Sequence, residues 1–284
     1  MDIVTTVTDL LFTKKKYLTA PVLVPTMGAL HDGHLALIEK ARAIAGPNGY
    51  VAVSIFVNPI QFDTPDDLKN YPATLQRDIT LCKEHGVDLL FTPDSGSLYS
   101  VDHSTVITEG SLGSTLCGAT RAGHFDGVCT VVAKLFNLFS PIDAVFGEKD
   151  YQQLVIINRM VRDLNFQIVI HGVDTVREKD GLALSSRNVR LGVDARAQAA
   201  AIRQAMLLAQ QSLAAGVDDS GQLLEAMKSH LNMHAPLAKI DYLECVCART
   251  LQAQVRITRK SVITIAAFFG DVRLIDNIEL VPIK

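Results

Sequence analysis

The sequence predicts an α/β fold: a Rossmann-like parallel sheet with helices on both faces, followed by a smaller C-terminal α+β domain. Three observations carry this expectation. Short apolar runs alternate with helix-period segments through about the first 175 residues, the pattern of parallel strands joined by crossover helices. One run, residues 50–57, is apolar at nearly every position, as a central strand covered on both faces must be. After Arg190 the texture changes to an alanine- and glutamine-rich stretch and then to new strands. A single core rarely grows past roughly 250 residues, so 284 residues suit a main domain over 1–176 and a smaller one over 177–284.

The elements follow in order. Residues 22–24 form the first strand, and a helix from about His34 places Leu35, Leu37, Ile38, Ala41 and Ile44 on one side. The second strand is 50–57. A helix over 75–84 leads to a strand over 87–91, a longer one over 128–139 to 143–146, and a third over 151–164 to 167–173. In the tail, helices over 195–215 and near 222–231 precede strands over 240–246 and 261–268. A hinge is expected between 176 and 191. Pro59, Pro65 and Pro72 bracket a polar stretch that suits a lid over 61–72.

Composition narrows the function. Hydrophobic residues make up 48% of the chain, which excludes disorder as its main state. Lys plus Arg number 27 against 30 Asp plus Glu, a net charge of -3 without a basic stripe, so no nucleic-acid partner is expected. The longest apolar runs, 50–57 and 262–269, fall far short of the roughly 20 residues a membrane helix needs. Asp2 replaces a basic leader, and Lys14, Lys15 and Lys16 follow the mildly apolar stretch, the reverse of a secretory signal. A cytoplasmic protein is expected. Cys82, Cys117, Cys129, Cys245 and Cys247 are odd in number and scattered, which suits buried thiols in a reducing compartment better than disulfides or a zinc site.

Ligands of open α/β sheets bind outside the carboxyl ends of the strands. The unusual residues cluster there. After the first strand come two glycines and two histidines three apart (Gly28, His31, Gly33, His34), with a helix opening at the second histidine. Free N–H groups at a helix start, with its dipole and neighbouring imidazoles, favour phosphate. The spacing alone equally suits a metal pair or two surface histidines. No P-loop and no G-x-G-x-x-G is present, which weighs against ordinary kinase and dinucleotide chemistry. Lys149 and Arg187 supply cations, and Ser185 and Ser186 hydroxyl donors, on loops expected to converge on one crevice. Taken singly, each of these is an ordinary solvated loop residue.

The motifs then become specific. Residues 30–34 (LHDGH) resemble the H-x-G-H signature of the adenylate-forming nucleotidyltransferase superfamily, and 184–188 (LSSRN) stand where that superfamily has its second, mobile phosphate-binding motif. More narrowly, PTMGALHDGH at 25–34, SIFVNPIQF at 54–62, RAGHFDGV at 121–128, FGEKDYQQL at 146–154, DGLALSSRN at 180–188 and RLIDN at 273–277 resemble the pantothenate synthetase (pantoate–β-alanine ligase) family. Departures at 140–143 and Cys129 bear on local packing, away from the motif residues.

That resemblance implies an ATP-dependent condensation of pantoate with β-alanine through pantoyl adenylate, releasing AMP and diphosphate. It implies an ATP site lined by Met27, Gly28, Ala29, Leu30, His31, Asp32, Gly33 and His34, with His34 the proton donor and His31 beside it on the phosphates. Gly147 and Asp150 would bind ribose with Glu148 beside them, Lys149 the phosphates, and Val176 the adenine region through its backbone. Leu184, Ser185, Ser186 and Arg187 would hold the triphosphate on a loop that closes over it. Gln61 and Gln153 would clamp pantoate, with Asn58, Arg121 and His124 adjacent. Read from the residues alone, both glutamines are surface positions. Magnesium would ride on the ATP phosphates with few protein ligands, and a homodimer is expected. Two rivals remain: a nucleotidyltransferase adding AMP to another small acid or to a phosphorylated substrate, and a non-catalytic nucleotide-binding module. The first predicts a second phosphate site; the second predicts loss of part of the set His31, His34, Lys149 and Arg187.

Overall fold

The computed structural model describes residues 1–62 and 68–282. Residues 63–67 of the expected lid over 61–72 lie outside the described residues. The chain forms two compact units. The first comprises Met1–Ser114, Gly118–Glu148 and Gln153–Asp174; the second comprises Thr115–Cys117, Lys149–Gln152 and Thr175–Lys284.

The first unit holds a six-stranded sheet of β1 (Asp2–Val4), β2 (Val22–Thr26), β3 (Val51–Ile55), β4 (Leu89–Phe91), β5 (Asp143–Gly147) and β6 (Val169–Val173). All pairs are parallel, in the order β1-β4-β3-β2-β5-β6. Every residue of β3 is buried, Ser54 included, as a central strand covered on both faces must be. Val53 and Leu90 face one side with Leu37, Ile38 and Ala41 of the helix Asp32–Ala45 and with Cys82. Phe91 faces the other, its ring edge-on to Phe139 of the helix His124–Phe139 at 6.0 Å. Each such fully buried aliphatic side chain contributes about 1.5–3 kcal/mol against chain entropy. The strand order reverses between β2 and β5. That reversal is the switch point at which open α/β sheets place their ligands, and it is flanked by Met27–His34 after β2 and by Gly147 closing β5.

The second unit packs the helices Ala201–Ala214 and Ser220–His234 on an antiparallel sheet of β7 (Ala238–Cys247), β8 (Ser261–Phe269) and β9 (Val272–Leu280). The helix expected over 195–215 is two helices, Val193–Ala199 and Ala201–Ala214, although Ala200 between them keeps right-handed backbone at φ -62°, ψ -22°. Two strands escaped sequence reasoning. β1 is only three residues long, and β9 buries Asp276 and Asn277, which break its apolar alternation. The helix expected from 128 begins at His124, where Gly123 in left-handed backbone (φ 76°) turns the chain into it.

All five cysteines are free and buried. Burial, first, and Asp78 push the Cys82 thiol up to about 12; burial, then Asp126 and Glu109, push Cys129 up to about 12. Both stay protonated across the physiological range. Among the described residues no helix is long and apolar enough to cross a membrane.

Candidate active site

His31 caps the helix Asp32–Ala45 from extended backbone (φ -141°, ψ 174°). Its Nδ1 accepts the Gly33 N–H at 3.2 Å, and His34 Nδ1 accepts the His31 N–H at 3.3 Å. This is a capping box built from two imidazoles in place of hydroxyl and carboxylate. The consequence is chemical. With Nδ1 an acceptor, each neutral ring carries its proton on Nε2 and presents one N–H donor there. The two ring centroids are 4.1 Å apart, at a tilt of 43°.

The backbone of this turn is occupied from within. The N–H groups of Ala29 and Leu30 donate to the carboxylate of Asp78 at 2.8 and 3.0 Å, and the His34 N–H donates to the His31 carbonyl at 2.7 Å. The expectation of free amides cradling phosphate is therefore corrected. The turn's amides at 29, 30, 31, 33 and 34 have protein partners.

Gln61 closes a one-turn 3₁₀ helix, Pro59–Gln61, after β3. It is 8% exposed, which corrects its reading as a surface glutamine. Its Oε1 accepts from Asn58 Nδ2 at 3.0 Å and its Nε2 donates to Met27 Sδ at 2.9 Å. Asn58 also donates to the Gly127 carbonyl at 3.1 Å and accepts the Tyr99 hydroxyl at 3.0 Å. Burial pushes the Tyr99 phenol up to about 12, which keeps it a donor. This chain of bonds fixes which end of the Gln61 amide is oxygen. His124 Nδ1 lies 2.7 Å from the Gln61 carbonyl and its Nε2 lies 3.3 Å from Arg121, so a ring protonated at Nδ1 satisfies both. Arg121 and His124 thus hold the backbone of Gln61. Gln153, on the helix Tyr151–Asp163, is half-buried, and among the described residues no hydrogen bond joins it to Gln61.

Gly147 ends β5 and Glu148 begins the next 3₁₀ turn, with Gly172 of β6 leaving room for its carboxylate: a β-carbon there would stand 2.6 Å from Glu148 Oε1. Lys149 and Asp150 belong to the second unit. Their ion pair spans 3.7 Å, and the Lys149 carbonyl accepts from Asn277 Nδ2 at 3.0 Å. In the same unit Val176 accepts the Leu184 N–H at 3.0 Å and Arg177 bridges Ala183, so 176–184 is a hairpin. Bidentate bonds from Arg177 to Asp276 (2.6 and 2.9 Å) and from Arg196 to Asp180 and Glu178 (2.5 and 2.6 Å) pin its base. Ser185 Oγ accepts the Arg187 N–H at 3.2 Å, a local turn that groups Ser185, Ser186 and Arg187 at the hairpin's exit.

Over residues 2–279 the sequence matches the family described as pantoate-beta-alanine ligase. The chain belongs to this family. It is 53% identical over 262 residues to the pantothenate synthetase of Akkermansia muciniphila, covering 91% of this chain and 92% of that one. The pantothenate synthetase of Clostridium botulinum is 44% identical over 280 residues, 98% of each chain. The crystal structure of pantothenate synthetase from Thermus thermophilus superposes with a TM-score of 0.93 at 43% identity, covering 99% of this chain and all of that one. The pantoate-beta-alanine ligase of Francisella tularensis, complexed with beta-gamma ATP and beta-alanine, gives a TM-score of 0.80 at 33% identity, covering 98% and 97%. Members are ligases that form an amide bond.

Sequence reasoning missed the residues that hold the motifs in place. Asp78 reads as a solvated position on an amphipathic helix, and Tyr99 lies outside every motif. Gly127 stands within a motif, but its reason is steric: a β-carbon there would come within 2.6 Å of the Ile60 carbonyl oxygen and 2.7 Å of Gln61 Cα. Only its position four residues into a helix that must approach a turn hints at this.

Proposed function

We propose that the chain condenses pantoate with β-alanine in two steps. A pantoate carboxylate oxygen attacks the α-phosphorus of ATP, the bond to the bridging oxygen breaks, and diphosphate leaves with that electron pair. The β-alanine amine then attacks the acyl carbon of the adenylate, loses a proton, and expels AMP. No covalent enzyme intermediate is needed. Both first-step reactants are anions, so the protein's task is positioning and charge stabilisation.

The observation that carries this reading is the reciprocal cap of His31 and His34 beside the switch point. Two rings that accept at Nδ1 offer two Nε2 donors, which suit the oxygens of ATP and the charge growing on departing diphosphate. His34 acts as the proton donor in this scheme, with His31 on the phosphates. Met27 to Gly33 line the nucleotide, while Gly147, Glu148 and Asp150 serve its ribose and Val176 its adenine. Lys149, Leu184, Ser185, Ser186 and Arg187 act as phosphate ligands, on the strength of the motif resemblance. Gln61 and Gln153 take pantoate, and the Francisella relative solved with beta-gamma ATP and beta-alanine supports the substrate pair. Magnesium belongs to the same proposal. The ion would be held by nucleotide phosphates and water, with few protein ligands. Residence in the cytoplasm and assembly as a homodimer rest on the resemblance.

Product analysis tests the proposal. With ATP, D-pantoate and β-alanine the enzyme is expected to yield pantothenate, AMP and diphosphate in equal amounts; without β-alanine it stops at the adenylate. Formation of ADP, or of an adenylylated acid that β-alanine does not consume, would exclude it.

A further inference from the structure

We infer that Asp78 is a positioning residue that sets the tautomer and placement of the histidine pair, an inference that rests on the proposed role of that pair. Asp78 lies in the first turn of the helix Leu75–Glu84 and is 1% exposed. A carboxylate taken out of water costs several kcal/mol unless it is paired or fully hydrogen-bonded. Among the described residues it has no cationic partner. Its two oxygens instead accept the N–H groups of Ala29 (2.8 Å) and Leu30 (3.0 Å) and the hydroxyl of Thr74 (3.2 and 3.1 Å).

Two of these partners, Ala29 and Thr74, are strained or diverted in making these bonds. Gly28 and Ala29 are both left-handed, at φ 84° and 52°. For alanine that conformation costs roughly 1–2 kcal/mol, so the turn needs an outside hold. Thr74 stands at the helix N-cap yet caps no backbone N–H; its hydroxyl goes to Asp78. Successive N–H groups converging on one point form a nest of the kind that binds phosphate, and here a buried carboxylate of the protein fills it. The next residue after the nest is His31, whose N–H and Nδ1 make the reciprocal cap with His34 and Gly33. Asp78 thus fixes the turn from which both imidazoles project, while touching neither ring.

The test uses Asp78→Asn, which keeps the shape but turns an N–H₂ toward one of the two amides. Nitrogen-15 spectra of the wild-type histidines are expected to show His31 and His34 unprotonated at Nδ1 and protonated at Nε2. In folded Asp78→Asn that single tautomer is expected to be lost and single-turnover adenylation to fall about 10²-fold, the scale of an ångström-sized misplacement. Wild-type histidine signals in the folded variant would overturn the inference, whether or not the rate falls, since a merely structural carboxylate would leave the tautomers alone. Should Asp78→Asn not fold, Thr74→Val removes only the orienting hydroxyl, and the same spectral change, smaller in extent, is expected; unaltered signals would overturn the inference equally. The spectra do not depend on turnover, so they separate this result from a failure of the wild-type enzyme to make pantothenate.

Discussion

His34→Ala is expected to slow single-turnover adenylate formation by about 10²–10³ while leaving the fold intact, because a donor placed where charge develops is worth that much. The structural cost is small. His34 contributes one long hydrogen bond to the cap, Nδ1 accepting the His31 N–H at 3.3 Å, and losing a cap acceptor costs about 1 kcal/mol. A purely structural histidine predicts the reverse, a large loss of stability with chemistry preserved in the folded fraction. His34→Asn separates the two further. Its Oδ1 replaces Nδ1 as the acceptor but supplies no donor at the Nε2 position, so stability should return and adenylation should not. Quench-flow measurement of diphosphate release, alongside urea unfolding, gives both numbers.

Gln61→Ala carries the second large effect. The amide is held at both ends, yet each end keeps one valence: a carboxamide has two donors and two acceptor lone pairs, and Asn58 and Met27 use one of each. The remaining pair can hold one hydroxyl and one carboxylate oxygen of pantoate. Truncation leaves Asn58 Nδ2 its bond to the Gly127 carbonyl, so the fold loses little. Pantoate loses about 1–3 kcal/mol, or roughly 5- to 150-fold in affinity, with ATP affinity nearly unchanged. Isothermal titration with each ligand separately reads this out; equal weakening of both would mean that Gln61 only shapes the turn.

What could be read in the sequence follows from how far each signal reaches along the chain. β3 was legible because five consecutive buried residues leave a run that is apolar at every position but Ser54, and the helix Leu75–Glu84 because its apolar period lies within its own span. The histidine pair was legible because a strand end, two glycines and a helix start are adjacent in sequence. The paired amides beside it were not. Ala29 and Leu30 meet their acceptor 49 and 48 positions away, and nothing local in the stretch around Asp78 marks it as buried. Asp276 is the same case: a buried carboxylate in β9 whose partner, Arg177, lies 99 positions back. Polar groups buried by distant partners look solvated in sequence, and here such groups hold the motifs in place.

The most direct measurement of the proposed chemistry follows an oxygen atom. Pantoate labelled with oxygen-18 in its carboxylate is incubated with the enzyme, ATP and β-alanine, and the AMP and diphosphate are analysed by phosphorus NMR. Attack by the carboxylate on the α-phosphorus, followed by amine attack at the acyl carbon, leaves one labelled oxygen on AMP and none on diphosphate. Unlabelled AMP, or label recovered in orthophosphate with ADP as the second product, would contradict an acyl-adenylate formed at this site.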